Sequence, residues 1–113
     1  MAVRIIVQPT FEKEFKRLAK KYPSLKKDLM GLVWQLNENP SLGTDLGGGL
    51  HKIRMAISSK GQGKSGGSRI IDFVVSAPMD NVEVNLIAIY DKSERSTLKN
   101  NEIVSYLKKN NLI

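Results

Sequence analysis

Prolines at positions 9, 23 and 40 cut the first forty residues into three short segments, and each segment has its own hydrophobic rhythm. Proline lacks an N–H and fixes its own φ, so it ends a strand and stays out of a helix interior. Before Pro9, Val3, Ile5 and Val7 alternate with Arg4, Ile6 and Gln8, the period of a strand. Between Pro9 and Pro23, Phe11, Phe15, Leu18, Ala19 and Tyr22 share one helical face. Thr10 is the expected N-cap there, with Glu12 and Glu14 near the positive end of the helix dipole. Between Pro23-Ser24 and Asn39-Pro40, Leu25, Leu29, Leu32, Val33 and Leu36 form a second apolar face. A strand and then a helical hairpin are expected.

From there the helical period gives way to alternation. Ser41 to Gly49, rich in Gly, Ser and Asp, reads as a loop. Leu50 to Ser58 alternates Ile53, Met55 and Ile57 against Lys52, Arg54 and Ala56, which puts two cations on one face of a strand. A flexible basic loop, Lys60 to Gly67, leads into strands over Arg69 to Val75 and Val82 to Ile89, joined by a turn around Pro78 to Asn81. Asn100 is the expected cap of a last helix with Ile103, Tyr106 and Leu107 on one face and Lys108 and Lys109 at its end. The predicted order is β-α-α-β-β-β-α, an α+β fold with a helical hairpin packed on one face of an antiparallel twisted sheet. Residues 1–113 are expected to form one domain. Trp34 falls opposite the apolar stripe of its helix and has two readings, an exposed anchor for a partner or packing against another element.

Lysine and arginine number 18 against 11 acidic residues, a formal net charge of +7, which points to a polyanionic partner. Nucleic acid leads and an anionic membrane surface is the rival. The apolar start runs out at Pro9, too short for a signal core or a membrane span, so a cytoplasmic protein without a membrane partner is expected. No cysteine is present, which removes disulfides, thiolate metal sites and a thiol nucleophile. Gly63-Lys64-Ser65 mimics the end of a phosphate-binding P-loop, but the first glycine of that motif is replaced by Ser58 and a strand follows where a helix is needed. His51 is the only histidine, and it reads better as a polar residue at a strand start than as a catalytic base. With the carboxylates scattered, no metal and no cofactor are expected. Catalysis would have to rest on Lys, Arg and Tyr. RNA cleavage is compatible with that inventory, because the nucleophile is the substrate's own 2'-hydroxyl and the protein's main task is to stabilise charge on phosphate.

Three blocks, Gly48-Gly-Leu-His-Lys-Ile-Arg54, Lys60-Gly-Gln-Gly-Lys-Ser-Gly-Gly-Ser-Arg-Ile-Ile71 and Ile89-Tyr-Asp-Lys-Ser-Glu94, resemble in order and spacing the successive blocks of the RelE/HigB-type toxins of bacterial type II toxin-antitoxin systems. The glycine-lysine run before Arg69 is close to that of the HigB-like branch. The resemblance implies a toxin that cleaves messenger RNA on the ribosome and is repressed by a cognate antitoxin. It also implies roles: Lys52 and Arg54 as the basic pair on phosphates around the scissile bond, Arg69 as a phosphate clamp, Lys60 and Lys64 as the basic loop, and Tyr90 and Lys92 as the final aromatic and lysine. Arg54, Lys64, Arg69, Tyr90 and Lys92 are thereby the catalytic candidates, with Lys52 and Lys60 as RNA-phosphate contacts. The sequence departs from the family at Ser93, where an arginine proposed as general acid is common, and at Lys99, in the approximate place of a base-stacking tyrosine. It departs also at Asp72, where an aromatic is common, and at Asp91, where a small residue is usual. Two other functions fit the same superfamily, a ParE-type gyrase poison and a catalytically inactive RNA-binding module.

Overall fold

The computed structural model describes residues 2–113. Its elements are β1 (Val3–Val7), α1 (Pro9–Lys21), α2 (Leu25–Glu38), β2 (Thr44–Gly47), β3 (Leu50–Met55), a 3-10 turn (Ser58–Lys60), β4 (Ser68–Ala77), β5 (Asn81–Asp91) and α3 (Asn100–Lys109). The expected α+β class and helical hairpin are present. The five strands lie in the order β1-β5-β4-β3-β2, with β3, β4 and β5 forming the expected antiparallel meander.

Two strands depart from expectation. β1 runs parallel to β5, from Val3 opposite Val82 to Val7 opposite Leu86, so the sheet is mixed and not wholly antiparallel. Alternation in β1 decides which side chains face the core, and it carries no information on the direction of the neighbouring strand. The segment read as a loop, Ser41 to Gly49, contains β2, which pairs Thr44 with Lys52 and Gly47 with Leu50. All four residues of β2 are exposed, so no hydrophobic pattern announces it. Its reversal uses Gly48 and Gly49 at φ of 61° and 89°, the left-handed backbone that a two-residue hairpin turn requires. A side chain at Gly49 would also approach the Val74 carbonyl to 2.7 Å.

The sheet has a core on each face. Phe11, Leu18, Leu25, Leu32 and Leu36 of the hairpin pack on Ile53, Met55, Ile57, Ile70, Val84, Leu86 and Ile89. On the other face Leu98, Ile103 and Leu107 cover Ile71, Ile87, Ala88 and Tyr90, so α3 closes the side that the hairpin leaves open. A bulge helps. Ile71 stands opposite Ala88 while Asp72 stands opposite Leu86, and the extra residue Ile87 turns with Ala88 toward α3. Each such buried aliphatic contributes about 1.5–3 kcal/mol. Pro9 occupies the first turn of α1 with Gln8 as N-cap, displacing Thr10 from its expected role. The Thr10 hydroxyl instead donates to the Ile87 carbonyl at 2.6 Å, where β1 has ended and the β5 edge would be bare. Lys99, not Asn100, is the N-cap of α3, and the Glu102 carboxylate accepts its N–H at 3.1 Å. Trp34 is 71% exposed, which rules out packing against another element.

His51 has a partner that the sequence did not reveal. Its Nδ1 lies 3.2 Å from Asp72 Oδ1 across the β3–β4 pairing, with Asp72 wholly buried and its Oδ2 unpaired among the described residues. Burial pushes the Asp72 carboxyl up to about 7, with the charge and hydrogen bond of His51 offsetting part of the rise. The unfolded carboxyl releases its proton near pH 4. Folding therefore takes up a proton between about pH 4 and pH 7, so this group's contribution to stability is full below that window and is lost as pH rises through it. Asp72→Asn, which cannot ionise, should reduce the fall in Tm between pH 5 and pH 8 relative to the parent protein. Equal falls in the two proteins would mean that the buried carboxyl is not the source.

Candidate functional site

The β3–β4–β5 register sets Arg54 opposite Arg69 and Arg69 opposite Tyr90, and puts Lys52 beside Ile71 one step along. Alternation sends Ile53, Met55 and Ile70 to the hairpin core and so starts these side chains on the other face, but at the edge of β3 that β2 leaves open Arg54 and Lys52 border grooves that α2 also lines. The two cations predicted to share a strand face do so. Arg54 is exposed and Lys52 half-buried. Arg54 and Lys64 line one groove of about 510 Å³ with Lys27, Asp28 and Gln35 of α2, where the Asp28 carboxylate accepts from Ser24 and Ser58 and pairs with neither Arg54 nor Lys64, and a neighbouring one of about 220 Å³ adds Lys52. None of Lys52, Arg54, Lys64 and Arg69 has a carboxylate partner among the described residues.

Arg69 sits differently from the other three. It is 6% exposed. Its Nη1 donates to the carbonyls of Lys64 (3.0 Å) and Ser68 (3.2 Å), and its Nη2 to that of Ser65 (3.4 Å). The guanidinium thus grips the loop between the 3-10 turn and β4 from beneath. Gly67 lets that loop come down, since a Cβ there would lie 2.4 Å from the Met55 carbonyl oxygen.

Tyr90 neighbours Arg69 on the sheet but opens onto another space, a cavity of about 190 Å³ shared with Arg17, Glu94, Arg95 and Tyr106. Its hydroxyl is buried without a partner among the described residues. The Arg95 guanidinium stacks 5.9 Å from its ring and is held by both Glu102 oxygens at 2.7 and 2.9 Å. Lys92 follows β5 and donates to the Ser96 carbonyl at 2.8 Å. No sequence signal singled out Arg95, because its partner Glu102 lies seven residues on, in the first turn of α3.

Lys60 does not join the group. Its ammonium donates to Asp91 Oδ1 at 2.8 Å and to Ser93 Oγ at 3.2 Å, with the side chain 9% exposed. The same carboxylate accepts from Tyr22 Oη at 2.5 Å and from the N–H and hydroxyl of Ser93 at 2.9 and 2.7 Å. Burial alone would raise Asp91, but the hydrogen bonds from Lys60, Tyr22 and Ser93 outweigh it and hold the group well below the usual carboxylate range. Lys60 therefore balances a buried charge, and its expected place on an RNA phosphate does not match its surroundings. Asp91-x-Ser93 after a strand is a turn signal that points to the Ser93 bonds. Nothing local points to Lys60 or Tyr22.

Taken together, three accessible cations, a buried fourth and a neighbouring tyrosine make a surface that can bind phosphate and stabilise added charge on it. Residues 9–112, which include both hairpin helices, all of these side chains and α3, match the model of a protein family described as RelE toxin of RelE / RelB toxin-antitoxin system.

Lys60→Ala should lower stability by about 3 kcal/mol, because it removes the hydrogen-bonded cation of the buried Asp91 charge and leaves only Lys21, 4.0 Å away. Lys52→Ala, at a side chain without a carboxylate partner, should change it by no more than about 0.5 kcal/mol. Chemical denaturation of the two variants checks this, and equal stability would return Lys60 to the surface cations.

Proposed function

The chain belongs to the RelE toxin family, the toxin half of a toxin-antitoxin pair, and on that premise we propose that it is an endoribonuclease that cuts messenger RNA on the ribosome. The observation that carries the reading is the set Lys52, Arg54, Lys64 and Arg69 on β3, β4 and the loop, none of which forms an ion pair among the described residues. Holding like charges together costs stability, and a polyanion bound there relieves the cost.

In this reading the substrate's 2'-oxygen attacks the adjacent phosphorus in line. A P–O2' bond forms, the P–O5' bond breaks, and the products carry a 2',3'-cyclic phosphate and a 5'-hydroxyl. The 2'-hydroxyl proton must leave and the departing 5'-oxygen must gain one. Arg54 and Lys64 are placed for the non-bridging oxygens, whose charge grows in the transition state, and Lys52 for the flanking phosphate. Tyr90 and Lys92 are the candidates for moving protons, and the Tyr90 hydroxyl, without a partner among the described residues, serves only a substrate that reaches the cavity it shares with Arg17 and Arg95. No step needs a metal or a cofactor, because nucleophile and leaving group both belong to the RNA.

Family membership also brings a cognate antitoxin. We assign it an acidic segment that covers the cation groove, since opposite charge speeds encounter and blocks the phosphate site. A ParE-type gyrase poison would not need cations converging without partners, and an inactive module would bind RNA without cutting it.

Translating ribosomes supplied with the purified protein are the test, with primer extension locating cuts. Arg54→Ala and Lys64→Ala should each lower cleavage about 10- to 100-fold, the range for losing one charge-assisted contact to a reacting phosphate. Growth arrest without cuts would favour the gyrase reading, and RNA binding with neither arrest nor cuts the inactive module.

A further inference from the structure

We propose that Arg69 is a positioning residue which shapes the loop Lys64–Gly66 into a phosphate site made of the Lys64 ammonium and the backbone N–H groups of Ser65 and Gly66. The proposal deepens the ribonuclease reading and rests on it only for the identity of the phosphate as RNA.

The geometry starts from the guanidinium. Arg69 is 6% exposed, and its three hydrogen bonds all end on main-chain carbonyls, those of Lys64, Ser65 and Ser68. A phosphate reaching it directly would have to displace those carbonyls and open the strand junction. In a trans peptide the carbonyl and the N–H of the next residue point in opposite directions. With the Lys64 and Ser65 carbonyls drawn inward to Arg69, the N–H groups of Ser65 and Gly66 face away from it. No acceptor takes either of them among the described residues, whereas the next amide, Gly67, bonds back to the Lys64 carbonyl at 3.3 Å. Ser65 is exposed and Gly66 half-buried, so both donors lie where an anion can reach them. The exposed Lys64 belongs to the same turn and lines the groove with Arg54.

The charge balance favours an anion as well. The buried guanidinium faces only neutral carbonyls, so its positive charge is not cancelled within the loop and adds to that of Lys64 and Arg54. Main-chain donors, an ammonium and an uncancelled cation behind them are the components of a phosphate-binding loop. Here an arginine from the following strand organises them, in place of a helix N-terminus. A lysine at position 69 keeps the charge but cannot span three carbonyls with a fork.

Two measurements test this. The first uses inorganic pyrophosphate titrated into the isotope-labelled protein at constant ionic strength. Amide resonances of Ser65 and Gly66 should shift in the parent protein and not in Arg69→Ala or Arg69→Lys, and hydrogen exchange at the hydrogen-bonded Gly67 and Lys92 amides should speed up at least tenfold in both variants. No shift at Ser65 and Gly66 in the parent, or unchanged exchange in the variants, overturns the proposal. The second is a cleavage cycle over Arg69→Ala, Lys64→Ala and the double variant. If Arg69 acts through the loop, the double variant is no worse than the poorer single one, and Arg69→Lys gives no rescue. Multiplicative losses, or rescue by lysine, would make Arg69 a direct phosphate contact and overturn it. Should Arg69→Ala fail to fold, Arg69→Lys carries both measurements. If the parent cuts no RNA, the ribonuclease reading falls and the pyrophosphate result still decides the site.

Discussion

A carboxylate with no exposure to water must be satisfied wholly by the protein, and for Asp91 that demand gathers three separate stretches of chain. Tyr22 comes from the end of α1, Lys60 from the 3-10 turn, Ser93 from the turn after β5, and the carboxylate itself from the last residue of the longest strand. The Lys92 N–H then bonds the Gly67 carbonyl at 3.0 Å. The loop that carries Lys64 is thereby tied at its start through Lys60 and near its end through Gly67, both to the exit of β5. Its exposed glycines leave it room to adapt in between, while its two attachment points are fixed.

Acidic residues do a second kind of sorting. Those on α1, on β5 and beyond it take up Arg4, Lys16, Arg17, Lys21, Lys60 and Arg95. Most of these pairs are exposed and contribute little to stability. Their effect is on the field: they cancel charge at the β1–β5 side of the sheet, while among the described residues Lys52, Arg54 and Lys64 form no ion pair. A formal charge of +7 is in this way made local, and an approaching polyanion is steered to one side of the molecule.

How much of this could be read from the residues follows from the range of each interaction. The stripe of Leu25, Leu32 and Leu36 and the alternation of Ile53, Met55 and Ile57 with Lys52 and Arg54 are local patterns, and both appear as predicted. β2 was hidden because an edge strand of Thr, Asp, Leu and Gly buries nothing. The direction of β1, the His51–Asp72 contact and the burial of Lys60 all depend on residues far apart in sequence, which no periodicity reports. Arg69 is instructive in a different way. Its position and charge were legible, but its partners are main-chain carbonyls of neighbouring residues, and carbonyls are the same at every position of a sequence.

The parallel pairing of β1 with β5 joins nearly the first described residues to one of the last-made strands. Contacts of such long sequence separation form slowly, because a large loop must close before they give anything back. During synthesis β1 leaves the ribosome early and waits for its partner, while the helical hairpin, made of local contacts, can form first. The attachment points of the basic loop, Asp91 and the Lys92 amide, belong to the same late stretch. A nascent chain therefore has its cations in hand well before it has the scaffold that aims them, and the cationic surface comes into being only when β5 is complete.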